Sequence, residues 1–303
     1  MTPATPGPTA AWRDALVLMR PRQWPILTAQ LLVGVLLAQP DRAQLGALLA
    51  PDALLTLGAA WLAWVVLLNG GTLAYNSAWD RDTGPVAYLA QPPRPPAGLA
   101  EAALGAMAAG ALLGAAAVGT RFGHVTAACV ALSVLYSHPA PRLKSRPGLD
   151  LLVNMVGYGA GTTLAGLLAG RAATGQVPGP DDPWLVAGFA LLFGSLYPLT
   201  QIYQATADAA RGDRTLTTAL GVRPALALAL VLGVLAAGAL LRTAPSGPGS
   251  ALVGGACGLW LVHLGQWLAR AGRLDDAAHE RGMYVALGLW ALVDVALVAA
   301  RFL

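Results

Sequence analysis

Two polar elements of the same form stand at the ends of long apolar runs, one in each half of the chain. The first is Tyr-Asn-x-x-x-Asp over residues 75–80, and the second is Tyr-Gln-x-x-x-Asp over residues 203–208. An amide and a carboxylate four residues apart share one face of a helix, with Cβ atoms about 5–6 Å apart. Their oxygens are ligands for hard cations such as Mg²⁺. Two such faces brought together could hold Mg²⁺ and a diphosphate between them.

The composition predicts that these elements belong to a membrane protein. Of the 303 residues, 56% are hydrophobic and 11% are charged, whereas soluble domains carry about a quarter charged residues. Apolar runs of about 20 residues can cross roughly 30 Å of hydrocarbon. We therefore predict an all-α fold, a polytopic membrane bundle of nine transmembrane helices, at residues 16–38, 54–78, 98–119, 121–137, 149–170, 184–207, 222–241, 250–269 and 282–301.

The remaining features predict one domain with a short tail. Residues 1–12 are rich in Pro and Thr and lack a signal-peptide pattern, which is typical of a disordered N-terminal tail. No low-complexity linker divides residues 13–303. Cys129 and Cys257 fall inside spans without metal-type spacing, as expected of buried apolar side chains. Three glycine pairs, Gly110/Gly114, Gly157/Gly161 and Gly166/Gly170, have the four-residue spacing that lets membrane helices approach closely, although so Ala/Gly-rich a sequence also produces such pairs by chance.

Basic residues are divided unevenly between the two sides of the predicted bundle. Of the 19 Lys and Arg residues, all but five fall in one set of connections. The five on the opposite side are Arg42, Arg121, Arg171, Arg242 and Arg301. Basic loops remain in the cytoplasm. We therefore predict a cytoplasmic N-terminus, a C-terminus outside, and both polar elements facing the cytoplasm.

Three connections on the predicted cytoplasmic side combine acids, amides and cations. The predicted metal ligands are Asn76, Asp80, Asp82, Gln204, Asp208 and Asp213. The cations placed to neutralise a diphosphate are Arg81, Arg142, Lys144, Arg146, Arg211 and Arg214. Mg²⁺ prefers a few carboxylates together with waters and phosphate oxygens, while Arg and Lys bind the remaining phosphate charge. This mixture of signs predicts a site for a metal-bridged phosphate.

These segments resemble the UbiA superfamily of intramembrane prenyltransferases over nearly the whole chain. The family's first motif has the form Asn-Asp-x-x-Asp-x-x-x-Asp, and Asn76 and Asp80 match its first and fifth positions. The second motif is Asp-x-x-x-Asp followed by Gly and Thr, and its later part is matched by Asp208, Gly212 and Thr215. These two segments and two others stand in the family's order on the corresponding predicted spans, which makes the resemblance specific.

Two further segments are similar to the family pattern. Residues 136–144 resemble its Tyr-Ser-x-x-Pro-x-Arg-Leu-Lys segment, and residues 20–24, Arg-Pro-Arg-Gln-Trp, resemble the start of its first helix. The resemblance therefore adds Arg22 and Asn154 to the predicted diphosphate-binding residues, together with Asn76, Tyr203 and Gln204. It implies catalytic roles for Asp80, Tyr136, Lys144 and Asp208.

The chain also departs from the family motifs. Ser77 and Gly84 stand where the first motif has acids, and Gln204 stands where the second has its first Asp. The nearby Asp82 and Asp213 could replace the missing carboxylates. An amide oxygen ligates a hard cation without offsetting its charge, so these departures predict weaker metal binding.

The resemblance implies a Mg²⁺-dependent enzyme that transfers a prenyl group from a prenyl diphosphate to a hydrophobic acceptor, aromatic or lipid. It implies a multi-pass protein of the bacterial inner membrane, with the lipid bilayer as a partner and no nucleic acid. Two alternatives stay open. One is an intramembrane terpene cyclase that uses the same diphosphate ionisation, and the other is a non-catalytic protein that binds isoprenoid lipids.

Several other residues have two interpretations. The rings of Tyr75, Tyr136 and Tyr203 could stabilise an allylic cation, or they could anchor the helices at the membrane interface. Asp294 lies within the last span, where a carboxylate indicates function by default. Because it is far along the chain from the motifs, we predict that it pairs with a neighbouring helix.

Overall fold

The structure is a computed structural model that describes residues 8–80, 84, 86, 89–180, 182–211 and 214–303, without the side chains of residues 8–10, 207 and 211. Its regular elements in these ranges are helices. They are α1 Pro8–Leu18, α2 Trp24–Leu37, α3 Pro51–Asp80, α4 Leu99–Ala117, α5 Thr120–Ser137, α6 Leu149–Thr174, α7 Asp182–Ile202, α8 Ala205–Arg211, α9 Leu216–Leu220, α10 Val222–Leu241, α11 Pro248–Arg273 and α12 Asp276–Arg301. Short 3₁₀ turns occupy Pro21–Gln23, Arg42–Leu49 and Leu143–Ser145.

Every predicted span is largely helical, although two of the predicted spans contain no helix with the length and composition of a membrane span. Within the described ranges, seven helices are long and apolar enough to cross a membrane, namely α3, α4, α6, α7, α10, α11 and α12. The remaining two candidates are α2, with 14 residues, and α5, with 18. An isolated span needs about 20 residues. The protein is therefore an all-helical, multi-pass membrane protein, while the count of nine spans stays a prediction.

The first predicted span is divided in two by a sharp turn. Arg20 adopts a left-handed conformation with φ 52°, and the 3₁₀ turn Pro21–Gln23 follows it. Pro25 then lies in the first turn of α2, where its missing N–H has no helical partner to lose. It therefore stands at the start of a helix. Upstream, α1 begins at Pro8, which lies inside the stretch predicted to be a disordered tail.

Two clusters of buried apolar side chains form the interior. The first contains residues of all the helices from α1 through α6, and the second is formed mainly by residues of α7, α10, α11 and α12. Glycines let α2 and α6 approach closely at the junction, since a Cβ atom on Gly166 would lie 2.4 Å from the Leu31 carbonyl oxygen. A Cβ on Gly170 would lie 2.6 Å from the Val35 carbonyl oxygen. Cys129 and Cys257 are buried and free, as predicted.

Two membrane helices contain π-helical segments near the junction of the clusters. Leu62–Gly70 forms one in α3, and Met155–Gly161 forms the other in α6. The Tyr158 hydroxyl donates a hydrogen bond of 3.2 Å to the Asn69 side-chain oxygen, so that each segment supplies one partner. Segments of π-helix occur frequently at functional sites. The first segment precedes the turns of α3 that carry Asn76 and Asp80, and the second directly follows Asn154.

Candidate functional site

The last turn of α3 meets the connection between α5 and α6 through one lysine. The Lys144 ammonium donates a hydrogen bond of 2.7 Å to Asn76 Oδ1 and a second, charge-assisted one to Asp80 Oδ1. The Ser137 hydroxyl also donates to Asn76 Oδ1, at 3.0 Å. Arg142 Nη2 lies 3.8 Å from Asp80 Oδ1. The structure therefore brings together four of the predicted site residues, Asn76, Asp80, Arg142 and Lys144.

A strained turn places Lys144 at this meeting point. Arg142 has φ 39° and begins the 3₁₀ turn Leu143–Ser145, which the Ser145 N–H closes by donating to the Arg142 carbonyl oxygen at 3.1 Å. A non-glycine residue at positive φ is uncommon. Such strain persists where surrounding structure fixes it, often at functional sites. Here the ion pairs of Lys144 and Arg142 with Asp80 supply that fixation.

A second cluster is centred on Asp150, a carboxylate that is only 1% exposed. Its oxygens accept hydrogen bonds from the Gly148 N–H at 2.8 Å, and from the Tyr197 hydroxyl and the Gln201 amide at 3.4 Å each. The Tyr197 hydroxyl lies 3.5 Å from the hydroxyl of Tyr136. This chain of polar contacts joins the ends of α5, α6 and α7 on the side where α3 also ends.

The same cluster extends toward the second motif. Gln201 Oε1 accepts a hydrogen bond of 3.2 Å from the Thr217 N–H at the start of α9. The Asn154 amide donates to the Asp150 carbonyl oxygen at 2.8 Å and is a hydrogen-bonding neighbour of the Tyr136 hydroxyl. Asn154 is thus adjacent to a predicted catalytic tyrosine.

The second motif lies on the short helix α8 and the turn before it. Asp208 is 5% exposed, and its N–H donates to the Gln204 carbonyl oxygen at 2.8 Å. The Gln204 side chain is exposed, and its amide donates to the Tyr203 hydroxyl at 2.6 Å. The second predicted metal-binding face therefore contains a buried carboxylate and an amide at the surface.

The remaining predicted cations differ in their positions. Arg22 is exposed on the Pro21–Gln23 turn, while Arg146 and Arg214 are exposed in their connections. The backbone of Arg211 belongs to α8, and its side chain lies outside the description. Arg81, Asp82 and Asp213 lie outside the described residues.

Five residues at the site were not among the predicted site residues. Arg20 is 6% exposed, and its guanidinium donates to the Ser77 hydroxyl at 3.4 Å, so it contacts α3, whereas Arg22, the predicted diphosphate ligand of this segment, is exposed. The others are Ser137, Asp150, Tyr197 and Gln201. The position of Asp150 at the start of an apolar helix was a usable signal, because a carboxylate that is buried there needs several hydrogen-bond donors around it. Its actual partners depend on helix neighbours that the sequence does not reveal.

The oxygen donors at the end of α3 fit a hard cation. Asn76 Oδ1 and Asp80 Oδ1 converge on a single ammonium nitrogen, which stands in for a cation at that point. Within the part of the chain that the structure describes, no three His, Cys, Asp or Glu side chains gather into a metal cluster. Mg²⁺ commonly takes only one or two protein carboxylates and fills its shell with water and phosphate. The donor set suits that mode of binding.

Aromatic rings extend from the Asp150 cluster into the bundle interior. Phe193 stacks on Tyr158 at 5.5 Å and on Tyr197 at 6.3 Å between ring centroids, and Trp290 meets Phe193 edge-on at 5.7 Å. Tyr75 is buried and contacts Trp79 at 6.1 Å. Burial of Tyr75 favours a place in the protein interior over an anchor at the membrane interface.

Comparison with known proteins agrees with this fold. The model of the UbiA prenyltransferase family matches residues 27–288, which is most of the chain. The chain therefore belongs to the UbiA prenyltransferase family, as the sequence motifs predicted. Membership supports intramembrane prenyl transfer in general terms. No curated protein matches the chain significantly.

Solved structures share the fold at low sequence identity. A structure of digeranylgeranylglyceryl phosphate synthase has a TM-score of 0.70 and 13% identity, covering 96% of this chain and 99% of that one. A UbiA homolog from Archaeoglobus fulgidus, bound to GPP and Mg²⁺, has a TM-score of 0.59 and 16% identity, covering 94% and 99%. A UbiA homolog from Aeropyrum pernix K1, without ligand, has a TM-score of 0.62 and 16% identity, covering 92% and 98%.

Proposed function

We propose that this protein transfers a prenyl group from a prenyl diphosphate to a hydrophobic, aromatic or lipid acceptor, in a reaction that requires Mg²⁺. One observation carries the proposal. Lys144 binds Asn76 and Asp80 together, which combines a cation, a carboxylate and an amide oxygen at the end of a membrane helix. Family membership and the GPP and Mg²⁺ bound by a similar protein support the same reaction class.

The donor's polar head would lie between the two motifs. Lys144 and Arg142, which contact Asp80, would bind diphosphate oxygens, because charge-assisted bonds to phosphate are strong. Arg22, Arg81, Arg146, Arg211 and Arg214 would supply further positive charge. Tyr203, Gln204 and Asn154 would complete the diphosphate site. The prenyl tail would extend among the membrane helices.

The proposed reaction breaks one bond of the donor and forms one bond to the acceptor. The bond between C1 of the prenyl group and the diphosphate oxygen breaks, and its electron pair leaves with the diphosphate. The acceptor forms a new bond to C1 and loses a proton. Charge that develops on the leaving group would be stabilised by Lys144 and Arg142, which the α5–α6 connection holds in place. The rings of Tyr136, Tyr197 and Phe193 would face the allylic cation and exclude water.

Mg²⁺ would be held by Asn76, Asp80 and Asp82 from the first motif and by Gln204, Asp208 and Asp213 from the second. When bound, it would neutralise diphosphate charge and assist departure of the leaving group. Because three motif carboxylates are replaced by Ser77, Gly84 and Gln204, we propose that the metal binds less tightly than at a fully acidic site.

The wider architecture completes the proposal. Residues 13–303 would form one domain of nine transmembrane helices, with α2 and α5 as the two spans below the usual length. The predominance of basic residues on one side favours a cytoplasmic N-terminus and an active site that faces the cytoplasm. The membrane we propose is the bacterial inner membrane.

Product analysis tests the proposal. Purified protein is incubated with geranyl, farnesyl and geranylgeranyl diphosphate and a membrane lipid extract, with and without Mg²⁺, and products are identified by mass spectrometry. We expect diphosphate release with a prenylated adduct, only when Mg²⁺ is present. A cyclic hydrocarbon formed without any adduct would replace the transferase with a cyclase. Retained donor binding without turnover would favour a non-catalytic isoprenoid-binding protein.

A further inference from the structure

A small cavity lies at the end of the bundle opposite the candidate site. It has a volume of about 50 Å³ and is enclosed by the ends of α2, α6 and α12, the start of α7 and the connection after α10. Leu37, Leu185 and Leu297 line its apolar part, and Arg171 and Arg301 line its charged part. Since one water needs roughly 10–15 Å³ in such a measure, the cavity has room for a phosphate group.

Arg171 is fixed at the cavity by a carboxylate. Both of its terminal nitrogens bind the carboxylate of Asp182, which stands at the start of α7. Its Nε atom is buried without a hydrogen-bond partner, and the residue is 8% exposed. This ion pair holds the end of α6 against the start of α7 and leaves the two residues together without net charge.

Arg301 has a different set of contacts. Its Nε donates a hydrogen bond of 2.8 Å to the Gln39 carbonyl oxygen beyond the end of α2. Among the described residues, no carboxylate forms an ion pair with it. Among the described residues that line the cavity, the charged groups are the guanidinium groups of Arg171 and Arg301 and the carboxylate of Asp182, which leaves the charge of Arg301 uncompensated within that set.

An arginine in the last turn of a helix is also favoured by the helix dipole, and both Arg171 and Arg301 occupy such positions. That effect accounts for a basic residue at each helix end. It does not account for their meeting around one cavity, or for the absence of an acidic partner for Arg301 within the described ranges. Guanidinium groups bind phosphate with several N–H donors at once.

We propose that this cavity is a binding site for a phosphate group, held by Arg301 and by the Arg171–Asp182 pair. Guanidinium groups bind the phosphates of anionic lipid headgroups in the same way as free phosphate, and this cavity lies at the ends of α6, α7 and α12, which are long enough to cross the hydrocarbon. The leucines would contact the apolar part of a lipid next to its phosphate. Free inorganic phosphate has the same charged chemistry and is the other source.

A bound phosphate would join the ends of α6, α7 and α12 and would stabilise the folded protein by mass action. Thermal unfolding therefore reports the site independently of any prenyl transfer. The protein is placed in lipid nanodiscs of phosphatidylcholine alone, of phosphatidylcholine with phosphatidylglycerol, or of phosphatidylcholine with oleate at the same negative charge. A fourth sample has phosphatidylcholine with inorganic phosphate in solution.

Arg301→Gln removes the uncompensated charge. The matched control is Arg242→Gln, on the same side of the bundle, where the Arg242 guanidinium lies 4.5 Å above the Trp184 ring and does not line the cavity. We expect phosphatidylglycerol to raise the Tm of the wild type and of the control by about 2–4 °C. The rise should be lost in Arg301→Gln and retained in part in Arg301→Lys.

The comparison of samples identifies the ligand and can overturn the proposal. A larger rise with phosphatidylglycerol than with oleate supports a phosphate site, and an equal rise with inorganic phosphate assigns it to the free ion. Equal rises with phosphatidylglycerol and oleate in the wild type would indicate general charge attraction and would overturn the proposal without any variant. An undiminished response of Arg301→Gln would do the same.

Discussion

Lys144 and Asp80 are in direct contact, although α4 and α5 separate them in the chain. The contact places the only lysine of the sequence on the carboxylate of the first motif. The ammonium of Lys144 compensates the charge of Asp80. Under the proposed function, the same lysine would also bind diphosphate oxygens.

This contact makes Lys144 the most sensitive cation of the site. We expect Lys144→Met to lower the rate of diphosphate release about 10²–10³-fold, the effect of removing one donor to a developing negative charge. Lys144→Arg should keep part of the activity, because it keeps the charge but changes the geometry. The measurement is Mg²⁺-dependent diphosphate release from a prenyl diphosphate. Arg121→Gln, which removes an exposed charge at the opposite end, is the control.

Asn76 offers a test of the weakened metal motif. Its Oδ1 already accepts from Lys144 and Ser137, so Asn76→Asp keeps the oxygen in place and adds a charge. We expect the Mg²⁺ concentration for half-maximal activity to fall several-fold in Asn76→Asp and in Gln204→Asp, since ligand charge raises affinity for a hard cation. Asn76→Leu should raise it or abolish activity. An unchanged Mg²⁺ dependence in both acidic variants would remove these positions from the metal site.

Asp150 is expected to act as a positioning residue. Its carboxylate accepts from the Gly148 N–H, Tyr197 and Gln201, so Asp150→Ala leaves three partly buried donors without their acceptor, at a cost of up to about 1–3 kcal/mol for each. We predict a lower Tm and a lower kcat, with the KM for prenyl diphosphate changed less than kcat. Tyr197→Phe, which removes one contact of 3.4 Å, should have a smaller effect on both. Wild-type kcat and Tm in Asp150→Ala would contradict this role.

The Asp294 carboxylate is hydrogen-bonded by the Gln30 amide, which links α12 to α2 within the membrane. This confirms the expected pairing with a neighbouring helix. Removing Gln30 leaves a buried carboxylate without its donor, so Gln30→Leu should destabilise the protein by about 1–3 kcal/mol. The double variant Gln30→Leu/Asp294→Leu should be more stable than Gln30→Leu alone. Thermal unfolding of the wild type, of Gln30→Leu, of Asp294→Leu and of the double variant gives the coupling free energy between the two residues. If the destabilising effects of the two single substitutions add, the interaction between Gln30 and Asp294 contributes nothing to stability.

Much of the helical architecture followed from the apolar runs, because the bilayer requires helices of a given length; the orientation predicted from the basic loops stays a prediction. The division of the first span could not be predicted, because nothing in the sequence of residues 16–38 indicates that Arg20 adopts a left-handed conformation. Spacing predicted that Gly166 and Gly170 lie at a helix contact, and the contact is between α2 and α6.

The site was predictable where residues of one motif share a helix face, as Asn76 and Asp80 do. Contacts between distant helices were harder to predict. Asp150, Gln201 and Thr217 interact only because α6, α7 and α9 end on the same side of the bundle. Arg20 contacts α3 while Arg22 is exposed on the turn that follows the left-handed conformation of Arg20.

The central claim is that Asp80 and Asp208 hold a metal ion against a diphosphate. Mn²⁺ in place of Mg²⁺ tests it directly, because electron paramagnetic resonance detects ³¹P nuclei close to bound Mn²⁺. With an unreactive prenyl thiodiphosphate, we predict ³¹P coupling in the wild type and its loss in both Asp80→Asn and Asp208→Asn. Coupling of wild-type strength in either variant would contradict the account.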